Sequence, residues 1–164
     1  MSTTRILVAV DFESCSETAV ITAADLARAK GGRVFLLHAI APVAGVPWDT
    51  PIAPTPGAVA VALSDHLETR AREGLHRLQR LAGDVWVDTD VRFGHPVETI
   101  LSVAEEVGAD LIVLGTHGRK GVTRWLLGSV AEAVLRRSEV PVMTVRHSEH
   151  VQQQEAESGH LSVQ

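Results

Sequence analysis

An open α/β sheet, five parallel strands with helices on both faces, is the fold this sequence predicts. Three observations predict it. Short, nearly unbroken apolar runs (Arg5 to Val10, Val34 to Ile40, Ala109 to Leu114, Pro141 to Val145) alternate with segments whose apolar residues recur every three or four positions. That alternation is the pattern of a parallel sheet joined by helical crossovers. The apolar residues are mostly Val, Leu, Ile and Ala, with three Phe, three Trp and no Tyr, which suits strands buried on both faces. The 164 residues are enough for one domain with a substantial core.

The first strand, from Arg5, ends at Asp11. Ser14 and Glu17 have the spacing of a capping box, so a helix is expected there, with Ala19, Val20, Ala23, Ala24, Leu26 and Ala27 on one face and Gly31-Gly32 as its stop. The second strand, to Ile40, carries His38, expected as a core histidine. Residues 42 to 57 hold five of the seven prolines, so neither a helix nor a central strand is expected; a long surface loop is, either filler or a lid. A helix is expected from about Ala58 to about Leu81, with Leu63, Leu67, Ala71, Leu75 and Leu78 inward and a charged outer face.

Val85 to Val91 alternates apolar and polar residues, which places this third strand at a sheet edge. Pro96 suits the first turn of the next helix, lined by Val97, Ile100, Leu101, Ala104 and Val107 and ended by Gly108. A last helix begins near Val130, with Arg136 and Arg137 in its final turn. The expected domain is 1–146. The remainder, 147–164, is a polar tail whose three histidines have no second ligand cluster spaced to close a metal site.

Between the fourth strand and the last helix runs Gly115 to Ser129, punctuated by glycine and carrying Arg119, Lys120 and Arg124. Backbone N–H groups and a helix N-terminus gathered in one place suit a phosphate. Two common phosphate motifs are excluded. Lys120 is followed by Gly121 within the loop, where a P-loop requires Lys-Ser/Thr at its end. The turn after the first strand, Asp11-Phe12-Glu13-Ser14, is acidic and free of glycine, where a dinucleotide fingerprint requires Gly-x-Gly-x-x-Gly. Phosphates are therefore assigned to the fourth strand's loop, and Asp11, a pure acceptor, to ribose hydroxyls or base amino groups.

Gly115, Gly118, Gly128 and Ser129 stand in the register Gly-x2-Gly-x9-Gly-Ser. With the opening Ile6-Leu7-Val8-Ala9-Val10-Asp11-Phe12, the Leu36-Leu37-His38 strand, Leu127-Gly128-Ser129-Val130-Ala131-Glu132 and Pro141-Val142, the chain over residues 5 to 146 resembles the ATP-binding branch of the universal stress protein family. The resemblance implies strand order 3-2-1-4-5, as in adenine nucleotide α-hydrolase-like folds, and a homodimer through the last strand. It also implies an adenine nucleotide as ligand: ATP, with AMP, ADP or a cyclic nucleotide as the others, and Mg2+ accompanying ATP. Carried over by position, Ala9, Asp11 and Ala39 surround the adenosine, with the Ala39 backbone on the adenine edge. Leu114, Gly115, His117, Gly118, Gly128, Ser129 and Val130 hold ribose and phosphates. Position 39 is Ala where members often carry Val, which implies looser packing around the base.

Gly115 and Gly118 are expected to let backbone approach the ligand, Gly128 to permit an unusual turn, and Ser129 to cap the last helix. The loop supplies cations but no carboxylate for metal or base, so binding is expected ahead of phosphoryl transfer. Slow hydrolysis or autophosphorylation at Ser129 or Thr123 is the activity some relatives suggest. The rival hydrolase class needs a Ser-Gly-Gly-x-Asp-Ser loop that this chain lacks; a nucleotide-free dimer acting through protein contacts is the other alternative. The net charge of −5 argues against nucleic acid or anionic membrane as partner. A single cysteine, a polar start and no bilayer-length apolar run make the cytoplasm the expected location.

Overall fold

The computed structural model describes residues 3–116 and 128–146. Strands β1 (Arg5–Ala9), β2 (Arg33–Ile40), β5 (Val87–Phe93), β6 (Leu111–Gly115) and β7 (Val142–Val145) form one parallel sheet in the order β5-β2-β1-β6-β7. Numbered by the long strands alone, this is the expected 3-2-1-4-5. Side chains on a strand point alternately to the two faces, so Ile6, Val8, Val34, Leu36 and Val113 enter one core cluster, under helices α1 (Ser14–Lys30) and α2 (Leu63–Gln79). Leu7, Leu37, Ile112 and Leu114 enter the other, under α3 (Pro96–Val107) and α4 (Ser129–Arg137). The expected inward faces hold: Ala19, Val20, Ala23, Ala24 and Ala27 of α1 are buried, as are Ala71, Leu75 and Leu78 of α2. Gly31 and Gly108 close α1 and α3 with φ of 62° and 60°, the left-handed conformation that favours glycine. β5 pairs only with β2 among the described residues and is an edge, as its alternation predicts.

Four local expectations are corrected. The helix expected from Ala58 starts at Leu63, because Val61–Ala62 (β4) pairs antiparallel with Pro51–Ile52 (β3). The proline-rich segment thus carries a two-stranded ribbon. Its N-terminal part is tied down by Leu63 N–H to Thr50 O, Ser64 N–H to Trp48 O, and the Trp48 ring edge-on to Phe93 at 4.9 Å. Ser14 is not a cap: it is the first helical residue, and Glu13 at the cap position makes no side-chain cap bond. The entry to α1 is held instead by Asp11, whose Oδ1 accepts the Glu13 N–H at 3.0 Å and the Ser16 hydroxyl at 3.0 Å. Gly128 needs no unusual turn, since φ −58° and ψ 147° are open to any residue, and it occupies the cap position of α4 that was expected for Ser129.

Candidate functional site

All five strands run the same way, so their C-terminal ends share one rim. β1 has β2 on one side and β6 on the other, and the chain goes from β1 to β2 and β5 before crossing back to β6 and β7. That reversal opens a crevice between the ends of β1 and β6, where doubly wound sheets place ligands. A groove of about 180 Å³ occupies it, lined by Ala9, Val10, Asp11, His38 and Ala39 from the β1 and β2 ends, Leu114 and Gly115 from β6, Pro96 and Ile100 from α3, and Val130 and Ala131 from α4. A larger cavity of about 430 Å³, lined by Thr4, Lys30, Asp110 and Met143 among others, lies at the opposite, N-terminal ends of the strands. Leu26 and Lys30 bring the C-terminal turns of α1 beside it, the end of a helix that does not favour an anion.

Six of the expected site residues are brought together in the groove: Ala9, Asp11, Ala39, Leu114, Gly115 and Val130. Gly128 and Ser129 adjoin it as the cap position and first residue of α4. His117 and Gly118 lie outside the described residues, as does the tail 147–164. Sequence reasoning missed Val10, Pro96, Ile100 and Ala131 as lining groups and gave His38 a core role only. The proline at a helix start followed by an apolar residue one turn later was the available signal for Pro96 and Ile100. No residue of 42–57 lines the groove.

Among the described residues the walls are apolar apart from Asp11 and His38. Asp11 is exposed but oriented, with its N–H donating to the Ser16 hydroxyl at 3.3 Å while Ser16 itself is buried. His38 Nδ1 is 2.8 Å from the Val10 carbonyl. Among the described residues the α4 N-terminus carries no side-chain cap hydrogen bond, and it adjoins the groove through Val130 and Ala131; uncapped first-turn N–H groups are of the kind that suits an anion. α3 and α4, the two helices flanking the groove, are tied by Arg137 Nη1 to Glu98 Oε1 at 2.8 Å. The Arg137 hydrogen bond holds the Glu98 carboxyl below the usual range.

Ala39 has a further property. In β2, Leu36, His38 and Ile40 turn their peptide groups toward β5, as Gly94 N–H to Ile40 O shows. Leu37 and Ala39 turn theirs toward β1, where the last rung is Val10 N–H to Leu37 O at 2.9 Å. The register with β1 stops at Ala9–Leu37. The Ala39 N–H and C=O therefore face the groove beyond that rung, one donor beside one acceptor.

Gly115 has a second reason to be glycine beside the one expected. A Cβ there would lie 2.7 Å from Cys15 Cβ, and 3.2 Å from the Cys15 carbonyl carbon. The close approach is to α1. Among the described residues no group of His, Cys, Asp and Glu is placed to hold a metal, and no helix is long and apolar enough to cross a membrane. The arrangement offers a flat apolar slot, a donor–acceptor edge, one carboxylate and a helix N-terminus.

Comparison with known proteins agrees with this architecture. The family model described as "Universal stress protein family" matches residues 2–146. A universal stress protein of Methanocaldococcus jannaschii is 29% identical over 150 residues, covering 87% of this chain and 81% of the relative. One from Mycobacterium tuberculosis is 34% identical over 144 residues, covering 87% of this chain but only 45% of the relative, so this chain spans about half the length of that protein. Among solved structures, a universal stress protein in complex with cAMP is 27% identical, with a TM-score of 0.61 over 90% of this chain and 100% of that one. The chain belongs to the universal stress protein family.

Proposed function

We propose that this protein binds an adenine nucleotide, ATP foremost, in the groove between β1 and β6, and that it works as a nucleotide-responsive stress factor without strong catalytic activity. The observation that carries the proposal is the Ala39 peptide edge beyond the last β1–β2 rung. Its N–H and C=O match the adjacent acceptor and donor of an adenine edge. Pro96, Ile100, Leu114 and Val130 supply apolar surface for the ring faces, and Asp11 supplies an acceptor for ribose hydroxyls. The α4 N-terminus suits phosphate. That a relative of the same fold is solved with cAMP supports the same ligand class.

Among the described residues Asp11 is the one carboxylate lining the groove. A Mg2+ carried in with ATP would therefore be held mainly by phosphate oxygens and water. His117 and Gly118 are assigned to the phosphate end by the family register alone. We assign the working form to a cytoplasmic homodimer joined through β7, whose outer edge has no partner strand among the described residues.

The test is to release and identify any nucleotide carried by the purified protein, then titrate ATP, ADP, AMP and cyclic AMP calorimetrically with GTP as the control. Adenine nucleotides are expected to bind more tightly than GTP. No binding of any of them at millimolar concentration would overturn the proposal and leave a dimer acting through protein contacts.

A further inference from the structure

The parallel ladder between β1 and β2 ends before β2 does. β2 continues to Ile40, in register with β5 through Ile40–Phe93, whereas its register with β1 stops at Ala9–Leu37. The next rung would carry the Ala39 N–H to the Val10 carbonyl. That carbonyl lies instead 2.8 Å from His38 Nδ1. A carbonyl oxygen only accepts, so Nδ1 carries the proton in this arrangement. The chain beyond Val10 leaves the line of β1 through Phe12, a bulky residue at φ 63° in the left-handed region. The Phe12 ring lies against the His38 ring, centroids 4.4 Å apart. It also covers Gly74 of α2, where a Cβ would come within 2.6 Å of Phe12 Cε1.

We propose that His38 is a positioning residue for the nucleotide site. Its imidazole takes the place of the missing rung at the Val10 carbonyl, holds the Asp11–Phe12 turn away from β2, and so leaves the Ala39 N–H and C=O to the ligand. Any nearby polar residue on β2 could lie beside this turn. Only one that donates to Val10 while stacking on Phe12 both holds the turn and keeps the peptide edge open. The proposal rests on the adenine reading for the identity of the ligand; the hydrogen-bond arrangement stands without a ligand.

Two variants separate the donor from the ring. His38→Asn keeps an amide N–H close to the position of Nδ1, and His38→Phe keeps a ring against Phe12 without a donor. The expected result is AMP binding about tenfold weaker in His38→Phe, the scale of one hydrogen bond, and largely retained in His38→Asn. In ligand-free protein, the Ala39 amide should exchange more slowly in His38→Phe than in wild type, because the released Val10 carbonyl recaptures it. A packing role alone would make it faster. Nitrogen-15 shifts of wild-type His38 should show the proton on Nδ1. A proton on Nε2, an Ala39 amide no slower in His38→Phe, or unchanged AMP affinity in that variant would overturn the proposal. Should wild-type protein bind no adenine nucleotide, the function proposal fails, and the exchange and tautomer measurements still decide the role of His38.

Discussion

Replacing Gly115 by Ala adds one methyl group, and the structure says what that group meets. Its Cβ would sit 2.7 Å from Cys15 Cβ, 3.2 Å from the Cys15 carbonyl carbon and 3.3 Å from its oxygen. Carbon atoms in contact settle at about 3.5–4.0 Å, so the overlap is on the order of an ångström. None of these atoms can rotate away: two are backbone of the first turn of α1 and the third is bonded directly to it. Either β6 or the start of α1 has to move. Cys15 is buried and donates from Sγ to Thr116 O at 2.6 Å, which binds the two elements further. Overpacking of this kind costs about 1–3 kcal/mol. At about 2 kcal/mol a domain of this size loses about 4–8 °C in Tm.

The measurement is urea or thermal unfolding of ligand-free Gly115→Ala beside wild type, followed by the double variant with Cys15→Gly. The double variant removes the 2.7 Å contact and should regain part of the loss beyond the sum of the single effects. If Gly115→Ala unfolds at the wild-type midpoint and only nucleotide affinity falls, the packing argument is wrong and Gly115 serves ligand approach, as its place in the glycine motif first implies.

Three further outcomes are expected. Gly128→Asp puts a capping carboxylate on α4, which has none; ligand-free stability should rise by a few tenths of a kcal/mol while nucleotide affinity falls through repulsion of phosphate. Both quantities moving down together would count against an anion site there. In β7, Ile112 N–H to Pro141 O and Thr116 N–H to Val145 O show that odd-numbered positions face β6, so Val142 and Thr144 present their N–H groups to the outer edge. Thr144→Pro should therefore abolish a dimer formed along that edge and leave the fold intact; a dimer that survives in sedimentation would place the interface elsewhere. The Glu98 carboxyl, held low by the Arg137 hydrogen bond, contributes stability above its unfolded pKa that is lost as pH falls through the lowered folded value. The pair is exposed, so the effect is small. The midpoint gap between wild type and Glu98→Gln should narrow as pH falls through the carboxylate range, and a gap constant with pH would refute this.

Periodicity in the sequence was sufficient for the number, type and order of the major elements, because each repeats a local rule. Apolar residues at strand or helix spacing record which face meets the core, and Gly31 and Gly108 mark helix ends wherever the helices pack. The alternation of Val87, Thr89 and Val91 with Asp88 and Asp90 likewise located the edge strand before any neighbour was known. The glycine register together with Asp11 located the rim of the sheet that holds the groove, and six expected site residues do line it.

Long-range contacts decided the rest. The start of α2 moved to Leu63 because residues nine and eleven apart pair as a ribbon, which no helical pattern records. Asp11 orients through Ser16, a buried helix residue, where the Ser14–Glu17 spacing pointed to a different cap. Pro96 and Ile100 reach the groove only because α3 crosses the sheet to the switch point. The glycine at 115 also meets a contact with a residue one hundred positions earlier. Above all, the bond from His38 to Val10 spans 28 residues and exists because β1 and β2 lie side by side while Phe12 turns the chain away. Local sequence determines which face of an element is apolar, since that depends on spacing along one segment. Which peptide groups stay unpaired at the end of a sheet depends on where two strands part, and only the tertiary structure sets that.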